Sequence, residues 1–452
     1  MRKPETDFES IEFGDRRLTK RLCKAVESMR QNAGKSVLGS GESRSQAKAF
    51  YRMLSNDKFD MGLVSETARK GTLNRINEAG GGVVLLIQDT SDINLNGHKK
   101  TEGLGYCSEH VKGIKLHSCI AVSPEGVPYG LLAQEYETRK EAKSGLSKTE
   151  KVNRPIEDKE SHRWIRMVRL AAAAMPHQVR AINICDREGD FFEHYAELAM
   201  LDMPFVVRVA HDRKSVDDEK VVGNLRKTPA ISRVAINIPR DSRRSRPARQ
   251  TEMEIAYSYE TIPRPARIKD ENVAETVAVN FVRITELTPV DGDEPIEWIL
   301  ATNLPLFDKG DVMNVVECYI QRWKIERFHF TLKSGMNAEK IQQRTYEKIK
   351  PVLLVYSVIA LFIMAVTYLG RETPDMPCDL MFGEDEWKIL YRIANKTRTA
   401  PERPYSMKEA VFYLAQVGGY KRSPSDGLPG LKSIWSGLSA LHLAMSLLDG
   451  QG

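Results

Sequence analysis

The sequence predicts an α/β fold: a mixed-sheet core carrying a β-rich insertion, flanked by helical N- and C-terminal domains. Three observations predict it. Short apolar runs, VVLLIQD ending at Asp89 and AINICD ending at Asp186, read as buried strands. Between about residues 211 and 300 the runs VAINI, EMEIAYSYE, AVNFVRITEL and IEWILATNL lie between Pro, Gly and Asp breaks, as strands do. At both ends of the chain, apolar residues recur at helical spacing instead.

After the turn at Gly14-Asp15, Leu18, Leu22, Val26 and Met29 form one apolar stripe of a helix, while Arg17, Arg21 and Lys24 point elsewhere. A loop with Gly34, Gly39 and Gly41 leads to a second helix near SRSQAKAFYRML. From Gly81 the period changes to that of a strand, and IKLHSCIAV (114–122) and VPYGLLAQEYE (127–137) continue it as an antiparallel meander. Residues 138–158, polar and rich in lysine, read as a loop, and 159–174 as a helix. The strand 181–186, a helix near 188–200 and the strand PFVVRVA (204–210) follow. Beyond the insertion, long helices are expected over 309–333 and 349–369, then a helical tail ending in SIWSGLSALHLAMSLL (433–448). The expected division is a helical domain over 1–70, a core over 71–370 and a helical domain over 371–452.

With 452 residues, 28% charged and 41% hydrophobic, the chain has enough apolar content for a sizeable core, which excludes a disordered protein. The formal charge of +6 is modest, so its distribution tells more. Between Arg16 and Lys58 stand eleven Lys/Arg against three Asp/Glu, and Arg240, Arg243, Arg244, Arg246 and Arg249 have only Asp241 among them. Two basic tracts suit an extended polyanion better than a small acidic ligand. Six cysteines without a Cys-x-x-Cys pair point to a reducing compartment and away from a zinc ribbon, and the nine histidines show no metal-ligand spacing. MRKPETDFES lacks the apolar stretch of a secretory signal. Residues 352–369 carry no charge over 18 residues, the minimum for a membrane span. As a single run directly following a charged helix, they read as a core helix instead.

Tyr319, Arg322, Glu326 and Lys333 lie in ECYIQRWKIERFHFTLKSG. On one continuous helix, at about 100° per residue, they share one stripe. A carboxylate, two cations and a phenol so aligned suit a metal ion held beside a phosphate. The bland alternative, an Arg322–Glu326 surface pair worth about 0.2–0.5 kcal/mol, leaves Tyr319 and Lys333 unexplained. Asp89 and Asp186, each ending an apolar strand, join Glu326 as oxygen donors of the kind Mg²⁺ or Mn²⁺ takes. Two such ions can drive an in-line phosphoryl displacement. Arg187, Glu188 and Asp190 are read as supports of Asp186, with Asp190 its nearest competitor as a ligand. A tyrosine recombinase using Tyr319 would want several Arg and His around it and no acidic triad, and no such set is found.

Further motifs run in a fixed order: FGDRRLTKRL and AKAFYRML, QDTSD at Asp89, KESHRW (159–164), CDREGDFFEHY at Asp186, ATNLP (301–305), RWKIERFH, and GGYKRSPSDGLPGLKSIWSGLSALH (418–442). Together they resemble the DDE transposases of cut-and-paste bacterial insertion sequences, in the transposon-five-like, insertion-sequence-four group. The resemblance implies an RNase H-like core on which Asp89, Asp186 and Glu326 are the catalytic, metal-binding triad for two Mg²⁺ (or Mn²⁺) ions. It implies that Tyr319, Arg322 and Lys333 hold terminal DNA phosphates and that Trp298 stacks on a base flipped from the transposon end. It further implies an N-terminal DNA-end-binding domain, a C-terminal dimerisation domain, and a homodimer that pairs transposon-end DNA before joining it to target DNA. No small-molecule cofactor beyond the metal, no membrane, and a bacterial cytoplasmic location complete the expectation. The reaction expected is nicking, hairpin formation, hairpin opening and strand transfer. The alternative is a catalytically silent relative that binds ends and inhibits transposition, disfavoured because all three acidic positions are filled.

Overall fold

The computed structural model describes residues 3–35, 44–141, 145, 147–238, 249–290, 292, 294–422 and 427–449. Gly39, Gly41, Arg240, Arg243, Arg244 and Arg246 therefore lie outside the described residues. The chain folds as two compact units: unit one is Met1–Val84, Thr90–Ser144 and Trp323–Gly452, and unit two is Leu85–Asp89 and Gly145–Arg322.

Unit one begins with α1 (Pro4–Asp7) and α2 (Arg16–Gln31). Asp15 starts α2 by accepting the Arg17 backbone N–H at 2.9 Å, the usual satisfaction of a free first-turn donor. Leu18, Leu22, Val26 and Met29 are buried, the stripe their spacing predicts, while Arg16, Arg17, Lys20, Arg21 and Lys24 are exposed. α3 (Arg44–Met53) and α4 (Met61–Glu78) follow, α4 capped by Asp60. The buried Arg75 on α4 donates to both oxygens of Asp7, at 2.9 and 2.7 Å, and to the Tyr129 carbonyl at 2.5 Å. Three acceptors on one guanidinium leave that buried charge satisfied.

Strand β1 (Gly82–Asn94) gives residues to both units. Its run through Asn94 corrects the expectation that the strand ends at Asp89. The polar Thr90-Ser91-Asp92 stretch stays extended because β1 continues beside β3. In unit one, β2 (Tyr106–Ser108), β3 (Val111–Val122) and β4 (Pro128–Glu137) are antiparallel neighbours, with β1 on the other side of β3.

Unit two opens with a second correction. The stretch expected as loop contains α5 (Lys148–Asn153), started by a reciprocal Ser147–Glu150 capping box, and a 3-10 turn at Ile156–Asp158. Then come α6 (His162–Ala174), β5 (Val179–Cys185), a 3-10 turn at Arg187–Gly189, α7 (Phe192–Met200) and β6 (Phe205–Arg208). After α8 (Val221–Leu225), four strands bear out the β-rich reading: β7 (Ser232–Ile238), β8 (Arg249–Pro263), β9 (Thr276–Glu286) and β10 (Glu297–Thr302). They extend the sheet of unit two, in the order β1-β5-β6-β10-β9-β8-β7. β5 and β6 are parallel and the pairs from β6 through β10 to β7 antiparallel, so the sheet is mixed. Trp164, Tyr195, Phe205 and Phe281 are fully buried in this unit. It ends with α9 (Lys309–Ile320), started by an Asp308–Asp311 capping box.

The third correction concerns the helix expected over 309–333. α9 stops at Ile320, and a turn at Gln321-Arg322, closed by the Arg322 N–H on the Tyr319 carbonyl at 3.0 Å, precedes α10 (Trp323–Phe330). A π-turn at Thr331–Gly335 then replaces α-helical winding. Angles summed at α-helical pitch therefore do not carry from Tyr319 to Lys333.

Back in unit one, α11 (Tyr346–Glu372) contains the uncharged run; its most apolar 18-residue window is 94% buried, as a core helix is. α12 (Glu384–Asn395), α13 (Met407–Val417) and α14 (Leu431–Asp449) form the tail. α13 and α14 meet at glycines, because a Cβ on Gly437 would run into the Leu414 carbonyl and one on Gly418 into the Ser433 carbonyl. The whole is a mixed α/β protein with helical termini.

Candidate functional site

In unit two, three neighbouring strands bring functional side chains to one end. The β5–β6 register pairs Asn183 with Phe205, Ile184 with Val206 and Cys185 with Val207. One step further along the same register stand Asp186 and Arg208. On the far side of β6, Leu300 of β10 faces Arg208, so Trp298, two residues away on the same strand face, points the same way. β1 lies on the other side of β5, where the buried Gln88 amide donates to Asn183 at 2.5 Å. This bond sits one residue before Asp89 and three before Asp186. Both aspartates are half-buried.

The end of α9 completes the group. Tyr319 is 4% exposed, and its ring meets Trp298 edge-on at 5.6 Å between centroids. The Arg322 guanidinium lies over the same ring at 5.8 Å. The Tyr319 hydroxyl is buried beside the Arg208 guanidinium, which is near enough to donate to its oxygen though outside good hydrogen-bond geometry, and its own hydrogen meets no acceptor among the described residues. Burial raises this phenol above its ordinary pKa, Arg322 and Arg208 oppose the rise, and Asp186 adds to it. Burial likewise lowers Arg208, with Arg187 and Arg322 adding to the effect and Tyr319 countering it. A buried phenol is thus surrounded by guanidinium groups within the field of one carboxylate.

Arg208 was not among the residues picked out from sequence. An arginine closing an apolar strand is unremarkable until the register sets it level with Asp186.

Asp190 has a different task from Asp186. Its side chain is fully buried and accepts from Tyr195 Oη and Arg213 Nη1, each at 2.5 Å, and from the backbone N–H groups of Ala210 and His211 at 2.6 and 3.0 Å. With both oxygens engaged, it ties the turn after Asp186 to the chain leaving Arg208. Asp186 itself starts that turn by accepting the Glu188 N–H at 2.8 Å.

Glu326 and Lys333 belong to unit one, Glu326 in the first turn of α10 and Lys333 in the π-turn, both half-buried. Between them His329 is buried and pushed down to about 3, by desolvation first and by Lys333 second. Among the described residues, no three His, Cys, Asp or Glu side chains stand close enough together to hold a metal ion. Of the second basic tract only Arg249 is described, and it pairs with Glu286 at 2.7 Å.

Residues 4–59 match the family model described as transposase DNA-binding, and residues 358–447 match that of the Tn5 transposase dimerisation domain. A solved structure of the piggyBac transposase synaptic complex with hairpin DNA overlays with a TM-score of 0.33 and 9% identity, over 82% of this chain and 68% of that one. The two ends of this chain are thus similar to the DNA-binding and dimerisation domains of Tn5-type transposases.

Proposed function

We propose that this chain is a cut-and-paste DNA transposase of the Tn5 type, acting through an RNase H-like core with Asp89, Asp186 and Glu326 as donors to Mg²⁺ or Mn²⁺. The observation that carries this reading is the Tyr319 hydroxyl, buried beside Arg208 and Arg322 and within the field of Asp186, with no acceptor for its hydrogen among the described residues. An unpaired buried donor calls for an acceptor. A phosphate oxygen meets that need, and guanidinium forks grip the remaining oxygens. A carboxylate facing a phosphate calls for a cation between them. Asp89 and Asp186 are hard oxygen donors at adjacent strands, the kind a divalent ion of that class takes, and the proposal adds Glu326 as a third donor.

A bound ion supplies Lewis-acid activation of the attacking hydroxyl and charge relief at the leaving oxygen. The chain's own residues hold the DNA. Tyr319, Arg208, Arg322 and Lys333 fix phosphate oxygens so that attack is in line, which lowers the entropic part of the barrier. Trp298 receives a base flipped out of the end, and stacking offsets the lost pairing. The order is nicking by water, attack of the freed 3′ hydroxyl on the opposite strand to form a hairpin, opening of that hairpin by water, and joining of the 3′ hydroxyl to target DNA. Two copies pair two ends in the bacterial cytoplasm through the C-terminal domain (371–452). The N-terminal domain (1–70) binds the ends, and 71–370 carries the chemistry.

The test is incubation with candidate transposon-end DNA and Mg²⁺, with products resolved on a denaturing gel. Nicked and hairpin species are expected, lost in Asp186→Ala and Glu326→Ala with end binding nearly intact. Undiminished cleavage by both variants sinks the assignment. Binding without any product identifies the silent, inhibitory relative.

A further inference from the structure

Within unit one, the segment that follows α10 is held by three other parts of the chain. The π-turn closes through the Met336 N–H on the Thr331 carbonyl at 2.9 Å, and Asn337 then enters the left-handed region at φ 53°. From there Asn337 Nδ2 donates to the Gly34 carbonyl, just past the end of α2. Gly34 is itself left-handed, at φ 88°, and a Cβ on it would stand 3.3 Å from the Gly335 carbonyl. α14 forms the second contact, because a Cβ on Gly335 would lie 2.9 Å from the Trp435 ring. At the third, the Glu339 carboxylate accepts the Asn94 N–H, at the end of β1, at 3.0 Å.

The contact with Gly34 differs from the other two in what it joins. On one side of it lies the segment bearing Lys333, with Glu326 on the helix before it. On the other lies α2, a helix of 16 residues whose Arg16, Arg17, Lys20, Arg21 and Lys24 face solvent. A helix is stiff over that length, so a bond at its end also fixes its basic face. Ser439 of α14 reaches the same loop, donating to the Ala33 carbonyl at 3.2 Å, but the Asn337 bond joins the two segments directly. Asparagine suits the position twice over, since it tolerates the left-handed backbone and carries an amide donor.

We propose that Asn337 is a positioning residue that sets where the DNA end is cut. It fastens the segment of Glu326 and Lys333 to the helix that grips the end, so that one phosphodiester is presented to them. This rests on the reading of the chain as a DNA-cutting protein and deepens it. Phosphates along a strand are chemically alike, so contacts to them carry no sequence information of their own. One of them is selected only if grip and cutting groups keep a fixed separation. Loosening the junction should therefore blur the position of the cut before it weakens binding.

The experiment compares the full chain with Asn337→Gly, which keeps the left-handed backbone and removes the donor, and Asn337→Asp, which turns an acceptor toward the Gly34 carbonyl. The probe is a labelled duplex carrying the inverted repeat that borders the gene, with flanking DNA, and products are sized to the nucleotide. The wild type should nick at one phosphodiester. In N337G the cut should spread to neighbouring positions, the wild-type position losing roughly tenfold in rate, and N337D should be worse. Affinity for the same duplex, read in EDTA, should hold in both. A single sharp product at the wild-type position in both variants overturns the proposal. So does a parallel loss of rate, affinity and thermal midpoint with the position unchanged, which makes Asn337 a residue of the fold alone. Amide hydrogen exchange without DNA needs no cutting: residues 336–341 should exchange faster in N337G while α14 is unchanged, and equal exchange also overturns the proposal. Absence of any product from the wild type is a different result; it removes the proposed function, and the register reading falls with it.

Discussion

Tyr319 separates a binding role from a structural one. Its hydroxyl donates to no acceptor among the described residues, so Tyr319→Phe removes at most a weak contact with Arg208. Stability in urea should change by less than about 1 kcal/mol, while cleavage of end DNA falls roughly tenfold, the worth of one phosphate hydrogen bond. A parallel loss of stability would make the phenol structural. Asp190 behaves in the opposite way. Asp190→Ala strands Arg213, whose side chain is 16% exposed, together with Tyr195 Oη and two backbone N–H groups. Breaking such a buried pair costs about 3–5 kcal/mol, read as a lowered denaturant midpoint. His194 sets a pH dependence. Desolvation takes it down to about 4, although the Gly189 carbonyl, Glu197 and Asp190 pull the other way. The unfolded imidazole takes up a proton near its ordinary pKa of about 6.5, whereas the folded one stays neutral until about 4. Its contribution is therefore complete above about 6.5 and is lost as pH falls toward 4, about 2 kcal/mol between pH 7 and 5. Urea midpoints across that range should shift in the wild type and shift less in His194→Asn; an identical shift in both would assign the acid loss elsewhere.

Glycine decides how α13 and α14 pack. Because a Cβ at Gly437 meets the Leu414 carbonyl, Gly437→Ala forces the helices apart. The cost is about 1–3 kcal/mol, seen as an earlier thermal transition by circular dichroism; an unchanged midpoint would show that the crossing can give. The elements legible in sequence are those where burial and period agree. The α2 stripe and the strands at 84–89, 114–122, 128–137, 181–185 and 205–208 carry apolar residues where the fold buries them. α5 was hidden because a short polar helix has no apolar face to show and rests on its capping box. The break at Gln321-Arg322 was hidden for another reason. From Asp311 to Lys333 there is no Gly or Pro, so nothing local marks the turn or the π-winding after it. Site residues show the same divide. Asp186, Trp298, Tyr319 and Arg322 could be named from motif and resemblance. Arg208 needed the parallel β5–β6 register, a long-range fact with no local signature.

On the scale of the molecule, unit one is built from three separated stretches, and β1 leaves it and returns. Its basic helix α2 packs against α11 and α14, which come from the last stretch. A chain ending at Arg322 lacks both partners and leaves Leu18, Leu22, Val26 and Met29 without much of their cover. Such a fragment should show no cooperative unfolding of α2 and should bind DNA at least tenfold more weakly than the full chain. Full-strength binding by the fragment would make α2 an independent module. The arrangement also has a consequence in time. Chains emerge from the ribosome N-terminus first and fold in units as each is completed. The helix that bears the basic face is made well before the surfaces it folds against. Every nascent copy thus carries that face unfinished until α11 and α14 have followed it.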